Sequence, residues 1–204
     1  MHLLALIILH PFRAAEKLRL TPRWLVAFLL ICAAMVTLRI AWYPRLVEMT
    51  ITSLPATATA EDRDWARTLL NNEALLRCMF IPVRQIAGMG SFAFLLFLLC
   101  RALEPPVQAR FKQVLALEVH AEIFNLLGAA LAVGIALLGG NEALLTSTKI
   151  FTLWYVVALT AGIVVLFGFS KFKACLLAST AWVISVLFNL FLLESVSTSM
   201  HFRL

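Results

Sequence analysis

Residues 24–43 read WLVAFLLICAAMVTLRIAWY, an apolar run in which Arg39 is the only charged residue. An α-helix rises about 1.5 Å per residue, so about 20 residues cross the roughly 30 Å hydrocarbon core of a bilayer. A run of this length with a single charge is unlike the core helices of a small soluble domain. We therefore predict that residues 24–43 span a membrane.

Four further apolar runs follow this segment, at residues 79–100, 114–138, 150–169 and 174–193. The composition agrees with them, because 62% of the 204 residues are hydrophobic and only 14% are charged. Soluble domains carry about 25% charged residues. The sequence predicts an all-α integral membrane protein, a bundle of five transmembrane helices formed by residues 24–204.

The net charge of +6 is spread over short segments beside the apolar runs and forms no dense basic tract. This distribution argues against a nucleic-acid partner and suits the positive-inside rule, by which Lys and Arg stay on the cytoplasmic side. Nine such residues fall in segments predicted to lie inside, and six in segments predicted to lie outside. We predict that the N-terminus is inside and the C-terminus outside, in the cytoplasmic (inner) membrane of a bacterium.

Residues 1–23 precede the first span and are predicted to form a cytoplasmic interfacial segment. Within them, Phe12, Ala15 and Leu18 recur at near-helical spacing over residues 11–20. Basic side chains in the same stretch can reach lipid headgroups. We therefore expect a short helix at the membrane surface.

The segment between the first two predicted spans contains a second amphipathic stretch, at residues 61–77. Thr59 and Asp62 have the spacing of a capping box, which marks the start of a helix. An apolar stripe follows on roughly one helix face, formed by Trp65, Leu69 and Leu76. We predict an extracytoplasmic helix that lies on the outer membrane surface or against a partner. We hypothesise that the stripe binds a partner, because five spans already supply a bundle core; the alternative is that lipid covers it.

The most polar stretch within an apolar run is EVHAE at residues 118–122. Residues four apart share a helix face, whereas residues two apart point about 200° away from each other. Glu118 and Glu122 can therefore converge, but His120 cannot join them on this helix. The spacing does not predict a metal site.

Two interpretations of Glu118 and Glu122 are open. A carboxylate in a membrane interior is costly, so a functional interpretation makes these residues a proton or cation site. The simpler interpretation places both at the cytoplasmic edge of the third span, at headgroup level or as partners of Arg110 and Lys112. We expect the edge position, because residues 114–138 exceed the ~20 residues that a span needs.

Other polar residues also lie within the predicted spans. Arg39 and Arg84 are each about one turn inside the outer boundary, where a long side chain can extend to the lipid phosphates. The alternative pairs Arg84 with Glu194 or Glu48 inside the bundle. Asn189, in the fifth predicted span, is a candidate donor of an interhelical hydrogen bond.

The common catalytic signatures are missing from the sequence, including the nucleophile elbow, the Walker loop, the His-Glu-x-x-His run and GxGxxG. We therefore expect no catalytic, cofactor-binding or metal-binding residues, and no enzyme activity. The spans do contain small residues four apart, which allow helices to pack closely. These pairs are Gly128 and Ala132, Ala130 and Gly134, and Ala158 and Gly162.

Several short stretches, in their order around the spans, give the chain a resemblance to a known family. They are HPFRAAEK at residues 10–17, RFKQVLAL at 110–117, FTLW at 151–154 and LFGFSKFKA at 166–174. The chain resembles the divergent bacterial branch of the Yip domain family, small five-span membrane proteins named for yeast partners of Rab-type GTPases. The Asp-Leu-Tyr-Gly-Pro-like segment and the Gly-Tyr pair of the eukaryotic members are absent. The resemblance therefore does not carry Rab binding with it.

In bacteria, this resemblance implies an accessory membrane subunit, sometimes linked to an ATP-driven exporter, and offers no catalytic residue. Our first hypothesis is a non-enzymatic accessory or scaffold subunit that binds another integral membrane protein, such as an ABC-type exporter complex. The alternative is a small membrane transporter or channel subunit, which would show several polar residues facing one another within the bundle. An intramembrane enzyme ranks last, because it needs a nucleophile or metal site assembled across helices.

Overall fold

The computed structural model describes residues 2–55, 57–103, 109–138 and 149–201. Within these ranges the regular structure is α-helical, with no β-strand. The helices are α1 (His2–Leu9), α2 (Pro11–Leu20), α3 (Leu25–Thr52), α4 (Ala60–Leu103), α5 (Phe111–Ala121), α6 (Ile123–Leu137), α7 (Ile150–Phe167) and α8 (Lys171–His201).

Four helical segments in the described ranges are long and apolar enough to cross a membrane. They are Leu25–Thr52, Cys78–Leu103, Phe111–Leu137 and Ile150–Phe167, and each contains most of one predicted span. The fifth predicted span, residues 174–193, falls within α8. The side chains from residue 188 onward, including those of Asn189 and Glu194, lie outside what the structure describes.

Helices α3 and α4 pack against each other and are both longer than the sequence predicts. Helix α3 continues through Pro44, and α4 joins the predicted outer helix to the second span as one element of 44 residues. The candidate span within α4 begins at Cys78, close to the predicted start at residue 79, but no break separates it from the predicted outer helix. Proline removes only one backbone donor, and the surrounding hydrogen bonds keep each helix continuous. The Tyr43 hydroxyl also donates to the Leu70 carbonyl oxygen, which fastens the two helices together.

The predicted capping box at the start of α4 is confirmed. The Asp62 N–H donates to Thr59 Oγ1 over 3.2 Å, and the Thr59 N–H donates to Asp62 Oδ2 over 2.8 Å. The Thr59 hydroxyl donates to the same carboxylate oxygen over 2.7 Å. The hydroxyl and then the N–H of Thr59 hold the pKa of Asp62 below its ordinary value. This cap sets the N-terminal end of the long helix.

Helices α1 and α2 pack against the bundle, mainly on α5 and α7. The side chains of Ile7, Ala14 and Leu18 are completely buried, in one apolar cluster with residues of α5 and α7. Gln113 of α5 donates from Nε2 to the Arg19 carbonyl oxygen over 2.6 Å. The segment predicted to lie at the membrane surface therefore also covers the first turns of α5.

Helices α5 and α7 approach each other closely at Gly162. A Cβ atom on Gly162 would lie 2.0 Å from Cδ2 of Leu117, a side chain that is only 1% exposed. Ala158 and Ala161 on the same helix are also buried. The predicted small-residue pair of Ala158 and Gly162 thus lies in a helix contact, as expected where backbones must come near each other.

Candidate functional site

A large cavity lies among helices α3 to α8. Its volume is about 1180 Å³, which exceeds the usual range for small-molecule pockets, roughly 300–1,000 Å³. Several residues that line it are exposed, among them Phe80, Ala87 and Val186. The cavity therefore opens onto the surface of the bundle.

The polar centre of this cavity is Glu118 on α5, whose side chain is only 3% exposed. The hydroxyl oxygen of Tyr155 on α7 lies 2.8 Å from Glu118 Oε1 and 2.9 Å from Oε2. A hydroxyl has one hydrogen to donate, so it satisfies one carboxylate oxygen at a time. Tyr155 is itself buried and lies beside Phe92 of α4, with 6.1 Å between ring centroids and 56° between the ring planes. The pair joins α5 to α7 at the cavity wall.

A second carboxylate, Glu122, lines the same cavity one helical turn further on. Its Oε2 accepts a hydrogen bond of 2.8 Å from the side-chain amide of Asn125. Glu122 also separates α5 from α6, although its N–H still donates to the Glu118 carbonyl oxygen over 3.0 Å. Glu118, Glu122 and Asn125 share one face, and that face points into the cavity.

The structure buries the Glu118 side chain within the bundle, so this carboxylate is not open to lipid headgroups as the simpler interpretation expects. Its depth in the membrane stays a prediction. Among the described residues, neither Arg110 nor Lys112 forms an ion pair with Glu118 or Glu122. The physical reason is the packing of α4 and α7 on α5, which brings even the second turn of that helix into the core. The length of one apolar run does not show which helices pack beside it, so the sequence could not reveal that Glu118 is buried.

His120 is buried, but its ring contacts its own helix. Its Nδ1 atom lies 2.7 Å from the Ala116 carbonyl oxygen. In the described part of the chain, no three His, Cys, Asp or Glu side chains lie close enough together to hold a metal ion. The residues brought together are thus two carboxylates, one phenol and one amide.

Two arginines, Arg39 of α3 and Arg84 of α4, line the same cavity. Arg84 precedes Phe92 by eight residues, which is about 12 Å along the helix. Within the described ranges neither arginine has an acidic partner, and Glu48 instead pairs with Arg45 at 3.4 Å. The other proposed partner of Arg84, Glu194, lies outside the described side chains. The cavity wall therefore carries both basic and acidic side chains.

The predicted partner-binding stripe of α4 is exposed: Trp65 is 67%, Leu69 43% and Leu76 58% accessible. Leu76 also lines the cavity, as does Phe80 one turn later. The stripe and this part of the cavity wall therefore share one face of a continuous helix.

Sequence reasoning did not identify Tyr155, Trp42 or Trp182 as site residues, although all three line the cavity. Tyr155 carried a weak signal, since it is one of only two tyrosines in the chain and lies within an apolar run. Buried tyrosines usually need a hydrogen-bond partner. The partner, 37 positions away along the chain, could not be read from the spacing.

No family model, curated protein or solved structure matches this chain. The candidate site is therefore defined by the geometry of the chain itself. Its chemistry is that of an aromatic-lined cavity with an acidic interior.

Proposed function

We propose that this chain is a non-enzymatic accessory or scaffold subunit that binds another integral membrane protein. The observation that carries the proposal is the exposed stripe of Trp65, Leu69 and Leu76 on α4. Residues 60–77 extend α4 beyond its candidate span Cys78–Leu103 by about 27 Å. A large aromatic and two leucines on such an extension form an apolar surface typical of protein interfaces.

The packing of α3 on α4 supports an orientation for this surface. Val47 of α3 is 7% exposed, and Tyr43 bonds the backbone at Leu70. Leu70 lies about 100° around the helix from Leu69, so α3 covers one side of the extension and leaves the stripe uncovered. A partner docked on the stripe would bury a central Trp, the residue type most often dominant in interface energies.

For the membrane arrangement, we propose five crossings with the N-terminus inside and the C-terminus outside. Helix α8 has 31 residues, about 46 Å in length, and the chain reverses into it through Gly168, whose φ is +72°. The positive-inside distribution supports the orientation. Together with the Yip-like stretches, this arrangement supports a subunit of an ABC-type exporter or a similar bacterial inner-membrane complex.

The experiment is quantitative co-purification in mild detergent from cells that express the tagged full-length chain. Trp65→Ala combined with Leu69→Ala should reduce recovery of the membrane partner by about tenfold or more, because truncation of interface anchors commonly costs over 2 kcal/mol. Met49→Ala on α3 is the control, since that side chain is 53% exposed but lies off the stripe. Equal recovery with the double variant and the control, at normal expression, would overturn the proposal.

A small membrane transporter or channel subunit is the second candidate, favoured by the cavity of about 1180 Å³ with polar side chains from several helices. Facing polar groups within a bundle are the usual sign of an ion or substrate site. This candidate predicts unchanged partner recovery for the stripe variants, together with ligand binding or flux that depends on the cavity residues.

A further inference from the structure

We propose that the cavity binds a hydrophobic organic cation, with Glu118 and Glu122 supplying the counter-charge. This inference deepens the transporter candidate by naming its substrate class, and it rests on that candidate only for movement across the membrane. Binding itself is compatible with an accessory subunit as well. It is also measured separately from partner recovery.

The charge balance of the cavity is the first observation. Its charged and titratable lining groups are Arg39, Arg84, Glu118, Glu122 and Tyr155. No described Lys, Arg or His forms an ion pair with either carboxylate. Burial of two carboxylates on one helix face, one of them 97% buried, is costly unless a proton or a positive charge compensates them. A bound cation would supply that compensation.

The hydrogen bonds of the carboxylates leave room for such a charge. Tyr155 provides one hydrogen to Glu118, and Asn125 provides one to Glu122 Oε2. Each carboxylate has about four lone-pair directions, so these bonds leave further acceptor capacity on both groups. A cation placed there would be attracted by both groups at once.

The rest of the wall determines which kind of cation fits. Aromatic rings from four helices line the cavity: Trp42, Phe80, Phe92, Tyr155 and Trp182. Aromatic faces attract cations and also bury apolar groups. A volume of about 1180 Å³ far exceeds the needs of an inorganic ion, and the described side chains offer no group of three metal ligands. A bulky organic cation uses the acid pair, the rings and the space together.

Binding then exchanges the cation for a proton. As the cation enters, one carboxylic acid gives up its proton to the solvent and the resulting carboxylate pairs with the ligand, so the net charge of the site is unchanged. The step breaks one O–H bond and forms no covalent bond. Arg39 and Arg84 lie on another part of the wall, about 12 Å from Phe92 in the case of Arg84, and would instead favour anions.

The probe is tetraphenylphosphonium, a permanent hydrophobic cation, and its control is tetraphenylborate, an anion of nearly the same shape. Equilibrium dialysis with the purified full-length chain in detergent, corrected for empty micelles, should give saturable binding of the cation. Glu118→Gln should weaken that binding by about tenfold or more, because a buried cation loses its counter-charge. Glu122→Gln should also weaken it. Glu61→Gln is the matched control, since Glu61 is exposed on α4 outside the cavity, and it should bind as the wild type does.

The wild-type protein gives a second measurement that needs no variant. Cation binding in weakly buffered solution should release a proton and should weaken as the pH is lowered. Saturable binding of tetraphenylborate instead of the cation would assign the cavity to the arginines and overturn the proposal. Cation binding that is equal in Glu118→Gln, Glu122→Gln and Glu61→Gln, or that releases no proton, would overturn it too. Loss of partner recovery in the stripe variants does not change these outcomes.

Discussion

Substitution of Gly162 by alanine tests the close contact between helices α5 and α7. The added Cβ would lie 2.0 Å from Cδ2 and 2.7 Å from Cγ of Leu117. Carbon atoms in ordinary contact lie about 3.5–4.0 Å apart, so Leu117 or helix α7 must move by about 1.5 Å. Leu117 is 1% exposed, so a shift of its side chain must displace packed neighbours.

The magnitude follows from two opposing effects. Alanine gains about 0.5–1 kcal/mol over glycine in a helix, whereas overpacking of a tight core costs typically 1–3 kcal/mol. Gly134→Ala provides the first effect alone, because nothing lies within 4 Å of a Cβ there. The difference in unfolding free energy between the two variants should therefore be about 1–3 kcal/mol, with Gly162→Ala the less stable.

The assay is reversible unfolding in mixed micelles, with both variants compared with the wild type. In a Leu117→Ala background the penalty of Gly162→Ala should largely vanish, because the clashing atoms are gone, and this coupling isolates the contact. Equal stability of Gly162→Ala and Gly134→Ala would refute the close approach of α5 and α7. So would a penalty that persists in the Leu117→Ala background.

Two further predictions concern topology and the N-terminal helices. The topology is tested with an impermeant thiol reagent added outside cells whose chain lacks the native cysteines. The reagent should label a cysteine introduced at Ser197 but not one introduced at Lys171, because α8 would cross the membrane between these positions. Labelling of both would exclude the five-span topology. Removal of residues 1–20 should leave membrane insertion intact but lower the unfolding temperature, because the core loses the completely buried side chains of Ile7, Ala14 and Leu18. An unchanged unfolding temperature would show that these helices add no stability.

The candidate spans could be predicted from sequence because apolar length alone decides whether a helix can cross a bilayer. Apolar length does not decide where a helix ends. Both helices continue into polar sequence outside the apolar run: α3 continues through Pro44 to Thr52, and α4 begins at Ala60, well before its candidate span at Cys78. The cap at the start of α4 could be predicted from sequence because its two residues, Thr59 and Asp62, lie three positions apart. Local hydrogen bonds leave a sequence signal, whereas continuity through a proline depends on tertiary packing.

The candidate site could be predicted only in part. The shared face of Glu118 and Glu122 follows from helical spacing, but the burial of Glu118 depends on α4 and α7, whose contacts with α5 the spacing within α5 does not reveal. The amphipathic pattern of residues 11–20 suits a membrane surface and a protein surface equally well. Which of the two surfaces these residues contact depends on the tertiary structure, and the sequence of this segment alone does not determine it.

Helix α4 connects the two proposed surfaces. Trp65 and Leu69 lie on the same face as Leu76 and Phe80, and the latter two already line the cavity. A partner that covers the stripe would therefore lie beside the opening through which a ligand reaches Glu118. Thermodynamic linkage is reciprocal. If the bound partner changes the affinity of the cavity for its ligand, the bound ligand changes the affinity for the partner by the same factor. One rigid helix could in this way make an accessory subunit sensitive to a hydrophobic cation.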